Sequence, residues 1–207
     1  MSVAYLSTAY LGSVHYYSKL VFFDEIRIET EEHYPKQTYR NRCLIAAANG
    51  IQALTVPVEK PKALKSPTRD ILISEHGNWR HLHWNALVSA YNMSPYFEYY
   101  TDDFRPFYEK KYKFLIDYNE ALQATVCSLL DINPKITQTK KYEILVENDF
   151  RNVIDPRHPQ PDETFVPRPY YQVFREKHGF LPNLSIVDLL FNMGPESLIY
   201  ISATNLQ

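Results

Sequence analysis

Glycine is scarce in this chain, with five residues among 207, and none of them completes a GxGxxG, GxxxxGK[ST] or GxSxG arrangement. Phosphate-cradling loops and nucleophile elbows need such glycines. Self-contained ATP or dinucleotide binding is therefore not expected, and no cofactor is implied. Cysteine is scarcer still: Cys43 and Cys127 supply neither a disulfide framework nor a zinc ligand set, which fits a reducing cytosol. Each reads as a small buried hydrophobe. No sign of charge is in excess, since 22 basic residues face 24 acidic ones for a net charge of -2. No global field then gathers DNA or an anionic membrane, and any anion site must be local. Apolar runs never approach the roughly 18 residues of a membrane span, and the first residues lack the basic and apolar regions of a signal peptide. These absences point to a soluble, cytoplasmic protein without membrane insertion.

What the chain has in quantity is tyrosine, 17 residues against 11 phenylalanines. A buried phenol wants a hydrogen-bond partner. The excess implies either a core whose tyrosines reach its edge or a wet aromatic pocket of the kind that stacks on sugar rings. The length suits one domain, and a chain of about 150 residues already buries roughly 70% of its unfolded surface.

The pattern predicts a mixed α/β fold, sheet-rich over 1–76 and helix-rich over 77–207. A short apolar run at 3–6, helical turns over 12–20 and alternating Ile26 and Ile28 over 25–30 read as strand, helix, strand, consistent with a parallel pair. Residues 42–48 and 51–58 read as a hairpin about the Asn49-Gly50 turn. The stretch 60–68 is a proline- and lysine-bearing loop, and 70–74 another short strand. Trp79, His83, Leu87 and Ala90 or Tyr91 then recur at helical spacing behind a candidate N-cap, Asn78. Asp102 or Asp103, with Pro106 in the first turn, opens one long helix through Leu129, ended by Asn133-Pro134. Residues 136–145 read as a strand. Five prolines mark 150–169 as a connector or a lid. Ser185 and Asp188 form a capping-box-like pair, Gly194 closes that helix and Pro195 opens the next.

The densest chemistry lies in Gln37-Thr38-Tyr39-Arg40-Asn41-Arg42. If this stretch is extended, Arg40 and Arg42 share one face, Tyr39 and Asn41 the other. The arginines then form either an anion clamp supplemented by Lys36 and His33, or a salt-bridge strip answering Glu29, Glu31 and Glu32. His83, one turn from both Trp79 and Leu87, is either a general acid or base or a hydrogen-bonded core histidine. His76 and His81 invite a metal reading, but HExxH is absent and His81 and His83 point to different sides of a helix, so no metal is expected.

Taken in order, Tyr10-Leu11, Asp24, Asn41-Arg42, Asn49-Gly50, Leu54-Thr55-Val56-Pro57-Val58, Asn78-Trp79, His83, Ala90-Tyr91, Pro95-Tyr96-Phe97, Leu184-Ser185-Ile186, Asp188-Leu189-Leu190-Phe191-Asn192 and Gly194 resemble the WbqC-like family. Its members occur in O-antigen and related polysaccharide loci of bacteria. The resemblance implies one WbqC-like domain and a glycine transferase role in O-antigen synthesis. The chain departs from the family pattern at Thr8-Ala9, where Gln-Pro is usual, and at Thr30, His33, Cys43 and Ala53, where Asp, Gln, Asn and Trp are usual. These departures cluster around the candidate site, as in a divergent branch with another substrate.

Two functions follow. In the first, the protein is a cytoplasmic transferase placing a glycyl or other small acyl group on a sugar precursor. There His83 deprotonates the acceptor hydroxyl, and Arg42 with Asn41 holds a phosphate or the developing oxyanion. Tyr10, Lys36, Arg40, Trp79 and Tyr91 bind substrate. The donor arrives activated; glycyl-tRNA would meet no broad basic surface at a pI near 6.4. In the second, the chain is a non-catalytic module that binds a nucleotide-sugar or a partner protein of the same pathway. A blander alternative makes Asn41 and Arg42 fold determinants that satisfy buried backbone groups.

Overall fold

The computed structural model describes residues 1–60 and 66–202. Its architecture is mixed α/β. Strand β1 (Val3–Ser7) is followed by helix α1 (Val14–Phe22) and strand β2 (Glu25–Glu29). The two strands pair in parallel with Ala4 opposite Ile26 and Leu6 opposite Ile28, so the apolar alternation of both lies on one face. Ser13 caps α1 by accepting the Tyr16 amide. Strand β5 (Ile136–Gln138) joins the other edge of β2, giving a three-stranded parallel sheet in the order β1-β2-β5.

A separate hairpin comprises β3 (Arg42–Ala47) and β4 (Gly50–Thr55). Its turn is one residue earlier than expected: Ala47 pairs with Gly50, leaving Ala48 and Asn49 in the loop. Register is set by burial, which turns Cys43 and Ile45 inward on β3 and Leu54 on β4. The only positive φ in the turn is then at Gly50, 108°, not the mirror-image turn that Asn-Gly favours.

The helical part begins with α2 (Trp79–Tyr91), where Asn78 takes a left-handed φ of 48° and its side chain makes no cap. The expected long helix is two helices, α3 (Phe97–Glu109) and α4 (Leu115–Leu129). Between them Lys110 and Phe114 are extended, and the segment pairs with 71–73: the Ile73 amide donates to the Lys113 carbonyl and the Leu115 amide to the Ile71 carbonyl. Long-range backbone pairing thus replaces helical bonds where side-chain periodicity runs straight through. Pro106 consequently lies inside α3, not in a first turn. The expected strand at 70–74 reduces to single bridges, Leu72 with Phe114 and Val58 with Ile73, and that at 136–145 to its first three residues. Of the predicted loop at 60–68, residues 61–65 lie outside the described residues.

After short α5 (Arg175–His178) come α6 (Ile186–Met193) and α7 (Ser197–Ser202). Gly194 closes α6 with φ 55°, and Pro195 sits in the intervening 3-10 turn. The capping box is not made. Ser185 Oγ donates to the Leu11 carbonyl, and the Asp188 carboxylate accepts from Tyr91 and Tyr170 hydroxyls and from the Gln172 amide. Tyr10, Tyr17, Tyr91, Tyr118, Phe104 and Phe191 are among the largest fully buried side chains, so tyrosine builds the core and does not merely border it.

Candidate functional site

The end of β4 gathers much of the sequence-marked chemistry. Asn41 Nδ2 donates to the Val56 carbonyl at 2.9 Å, and Arg42 Nε to Thr55 Oγ1 at 3.1 Å. The Tyr10 hydroxyl and His83 Nδ1 are hydrogen-bonded at 2.9 Å, and the Tyr10 and Tyr108 hydroxyls at 3.0 Å. Trp79 meets His83 edge-on with centroids 5.1 Å apart, and Tyr118 stacks on Tyr10 at 5.8 Å. Burial pushes His83 down to about 4, only partly opposed by the Thr55 carbonyl. Burial likewise holds Tyr10 well above the ordinary tyrosine range, with Tyr108 and Tyr118 adding to it. At neutral pH the chain of groups is uncharged, with a single basic nitrogen already occupied.

Tyr108, itself only 6% exposed, also borders a cleft. Its ring, with Trp79 and Trp84, lines this cleft of about 570 Å³ between α2 and the end of α3, bordered by Arg80, Arg105 and Lys111. Trp84 is half-buried and lies 5.5 Å from the Tyr108 ring. Arg80 stacks over Trp79 at 4.7 Å while its guanidinium takes both oxygens of Glu75, at 2.8 and 2.7 Å. Sequence reasoning marked Trp79 but missed Trp84 and Tyr108. Their signal was the aromatic enrichment of 79–108, which the helical period divides between core and cleft. A groove of about 740 Å³ between α2 and the hairpin is lined mainly by small side chains and holds no charged group.

The remaining predicted residues are placed elsewhere. Residues 38–41 form a turn, so Arg40 and Arg42 do not share a strand face. Arg40 is buried in a bidentate pair with Glu32, at 2.6 and 2.7 Å, and also bonds Ser7. Tyr91 is fully buried, bonding Asp188 and the Ala46 amide. Lys36 is exposed. Arg42 is half-buried and has no carboxylate partner among the described residues. Both cysteines are buried, and burial pushes the Cys127 thiol up to about 12, so neither is a ready thiolate. No group of three metal-ligating side chains occurs among the described residues, and no helix among them is long and apolar enough to cross a membrane.

These features define a mixed α/β protein with a small parallel sheet, a hairpin and an aromatic cleft on its helical part. The chain belongs to the WbqC-like protein family, whose pattern matches residues 8–160. It is similar to the uncharacterized protein Rv1507c of Mycobacterium tuberculosis, 28% identical over 226 residues that cover 96% of each chain. No solved structure matches it.

Proposed function

We propose that this protein binds a sugar precursor, a nucleotide-sugar or sugar phosphate, in the cleft of Trp79, Trp84 and Tyr108, and serves surface-polysaccharide synthesis in the cytoplasm. The observation that carries this reading is the half-buried Trp84 beside Tyr108, with Arg80, Arg105 and Lys111 at the rim. An aromatic face offers stacking area to the apolar side of a sugar or to a base. Arginine and lysine at the rim, now paired with Glu75 and Glu109, would turn to the attached phosphate. A volume of about 570 Å³ falls within the roughly 300–1,000 Å³ common for small-molecule sites. Calorimetric titration with nucleotide-sugars and sugar phosphates tests the reading. Trp84→Ala should weaken binding at least about tenfold while the melting temperature stays near that of the parent, since Trp84 is not a fully buried side chain. Unchanged affinity in a folded Trp84→Ala protein would remove the cleft from consideration.

A second reading, transfer of a glycyl or other small acyl group to a hydroxyl of the bound sugar, is favoured by the Tyr108–Tyr10–His83 chain behind the cleft. The acceptor oxygen would bond to the acyl carbon as the bond to the activated donor's leaving group breaks. The acceptor proton would pass through Tyr108 and Tyr10 to His83 Nδ1. Arg42, without a carboxylate partner among the described residues, is the group available near Thr55 for a phosphate or oxyanion. In the state described, Nδ1 is engaged by Tyr10 and the ring is buried, so binding rests on more than transfer does.

A further inference from the structure

Sequence reasoning did not mark Lys19, in the last turn of α1, yet it is among the most costly side chains in the molecule to bury. Lys19 is completely buried, and burying an ammonium is expensive unless it is paired. Its Nζ lies 2.6 Å from Asp162 Oδ2 and donates to Thr164 Oγ1 at 2.7 Å. His15 Nε2 donates to the same Asp162 oxygen at 2.6 Å, and the imidazole is covered by Phe165, stacked at 4.2 Å. Side-chain exposure is 7% for both His15 and Asp162. Burial alone would raise the Asp162 carboxyl, but the bonds from Lys19, Thr164 and His15 hold it below the usual carboxylate range.

The partner carboxylate arrives on a strap whose first part is anchored by Arg151, paired with Glu29, and by the buried Ile154. The strap starts at Asp149 and Phe150, which are tied to β1 through Tyr5. Beyond them, the backbone bonds of residues 155–165 among the described residues are internal to the segment: Gln160 to Val153, Phe165 to Asp162, and amides onto Asp155 and Asp162. At the end of β1, apart from Lys19, His15 and Asp162, a small space of about 10 Å³ is bordered by Ser7, Thr8, Arg40, Phe150, Arg151 and Ile154, room for about one water. Asn119, 1% exposed, donates to Thr8 Oγ1 and to the Arg40 carbonyl, and its Oδ1 has no partner.

We propose that Lys19 and His15, under the strap, form a binding site for a small carboxylate, and that in the closed arrangement Asp162 occupies the ligand's place on them. Charge selects the ligand class. Arg40 is already matched by Glu32, and Arg151 by Glu29 and Asp149. Release of Asp162 therefore leaves room for one negative charge. A monoanionic carboxylate restores the balance on Lys19; a phosphate dianion would bury one charge too many. No residue of this site lines the aromatic cleft, so it does not depend on the sugar-binding reading.

The test combines hydrogen–deuterium exchange of the strap with titration of the intact chain against acetate and glycolate, using inorganic phosphate and chloride as controls. In the native protein, acetate should speed exchange over residues 150–165 by displacing Asp162. Asp162→Asn removes the tethered competitor and should bind acetate about tenfold or more tightly than the parent, with its strap already exchanging fast. Adding Lys19→Met to that variant should abolish acetate binding; should Lys19→Met not fold, the native-chain exchange measurement still decides. Strap exchange indifferent to acetate would show Asp162 to be a structural clamp and overturn the proposal. So would equal responses to phosphate or chloride, or an Asp162→Asn protein that binds acetate no better than the parent.

Discussion

His83 is held neutral by its surroundings: burial disfavours the charged ring, Nδ1 is hydrogen-bonded to the Tyr10 hydroxyl, and Trp79 and Leu87 flank it on α2. A folded-state value of about 4 against about 6.5 in the unfolded chain means that the unfolded state binds the proton first as pH falls. The sign follows from linkage. Stability from this group is fully present above about pH 6.5 and declines as pH drops toward 4. The total is on the order of 3 kcal/mol at about 1.4 kcal/mol per pK unit. Burial shifts His15 in the same direction, so it steepens the same limb. Urea denaturation between pH 4 and 8 should show stability falling across this window, and His83→Gln, which cannot titrate, should flatten the fall. An equally steep profile in His83→Gln would assign the pH dependence to other groups.

Among the elements, the glycines that close the hairpin and α6 make different demands. Gly50, at φ 108°, has open space where a Cβ would stand; Gly194, at φ 55°, would place a Cβ within 2.5 Å of the Tyr96 ring. Both substitutions by alanine are strained in the backbone, at about 1 kcal/mol, but only Gly194→Ala also collides with an aromatic whose own amide bonds the Phe191 carbonyl. Overpacking of this kind adds roughly 1–3 kcal/mol. Thermal melts should therefore show Gly194→Ala several degrees below Gly50→Ala; equal melting temperatures would mean that Tyr96 moves aside freely. The same elements show what the sequence could disclose. Local signals found β1, α1, β2, the hairpin, α2 and the Gly194 stop, because capping, alternation and turn chemistry act within a few residues. The break between α3 and α4 was hidden, since it is made by pairing of 113–115 with 71–73. Trp79 and His83 could be singled out at helical spacing, and Tyr10 through the family resemblance. The Lys19 site could not: its partners Asp162 and Thr164 lie far along the chain, 145 residues on from Lys19 in the case of Thr164, on a segment without periodicity.

At the scale of the whole molecule, the later half of the chain completes polar groups that the earlier half buries. Arg151 answers Glu29, Asp162 answers Lys19, Asn119 bonds Thr8, Ser185 bonds the Leu11 carbonyl, and Asp188 receives Tyr91. The family match ends at residue 160, before three of these five partners. A fragment of residues 1–160 would lack Asp162, Ser185 and Asp188, leaving Lys19 without its carboxylate and the Tyr91 hydroxyl without its acceptor. It would also lack α6, whose Ile186, Leu189, Leu190 and Phe191 are fully buried against α1, α2, α3 and β3. Four such side chains, at roughly 1.5–3 kcal/mol each, come to about 6–12 kcal/mol. That matches the entire stability of a typical domain, about 5–15 kcal/mol, before the stranded polar groups are counted. The fragment should therefore show no cooperative urea transition and no protected amides in β1 or α2, whereas the full chain shows both. A cooperative melt from the fragment would mean that the sheet, hairpin and first four helices carry their own core and that α6 is an addition to it.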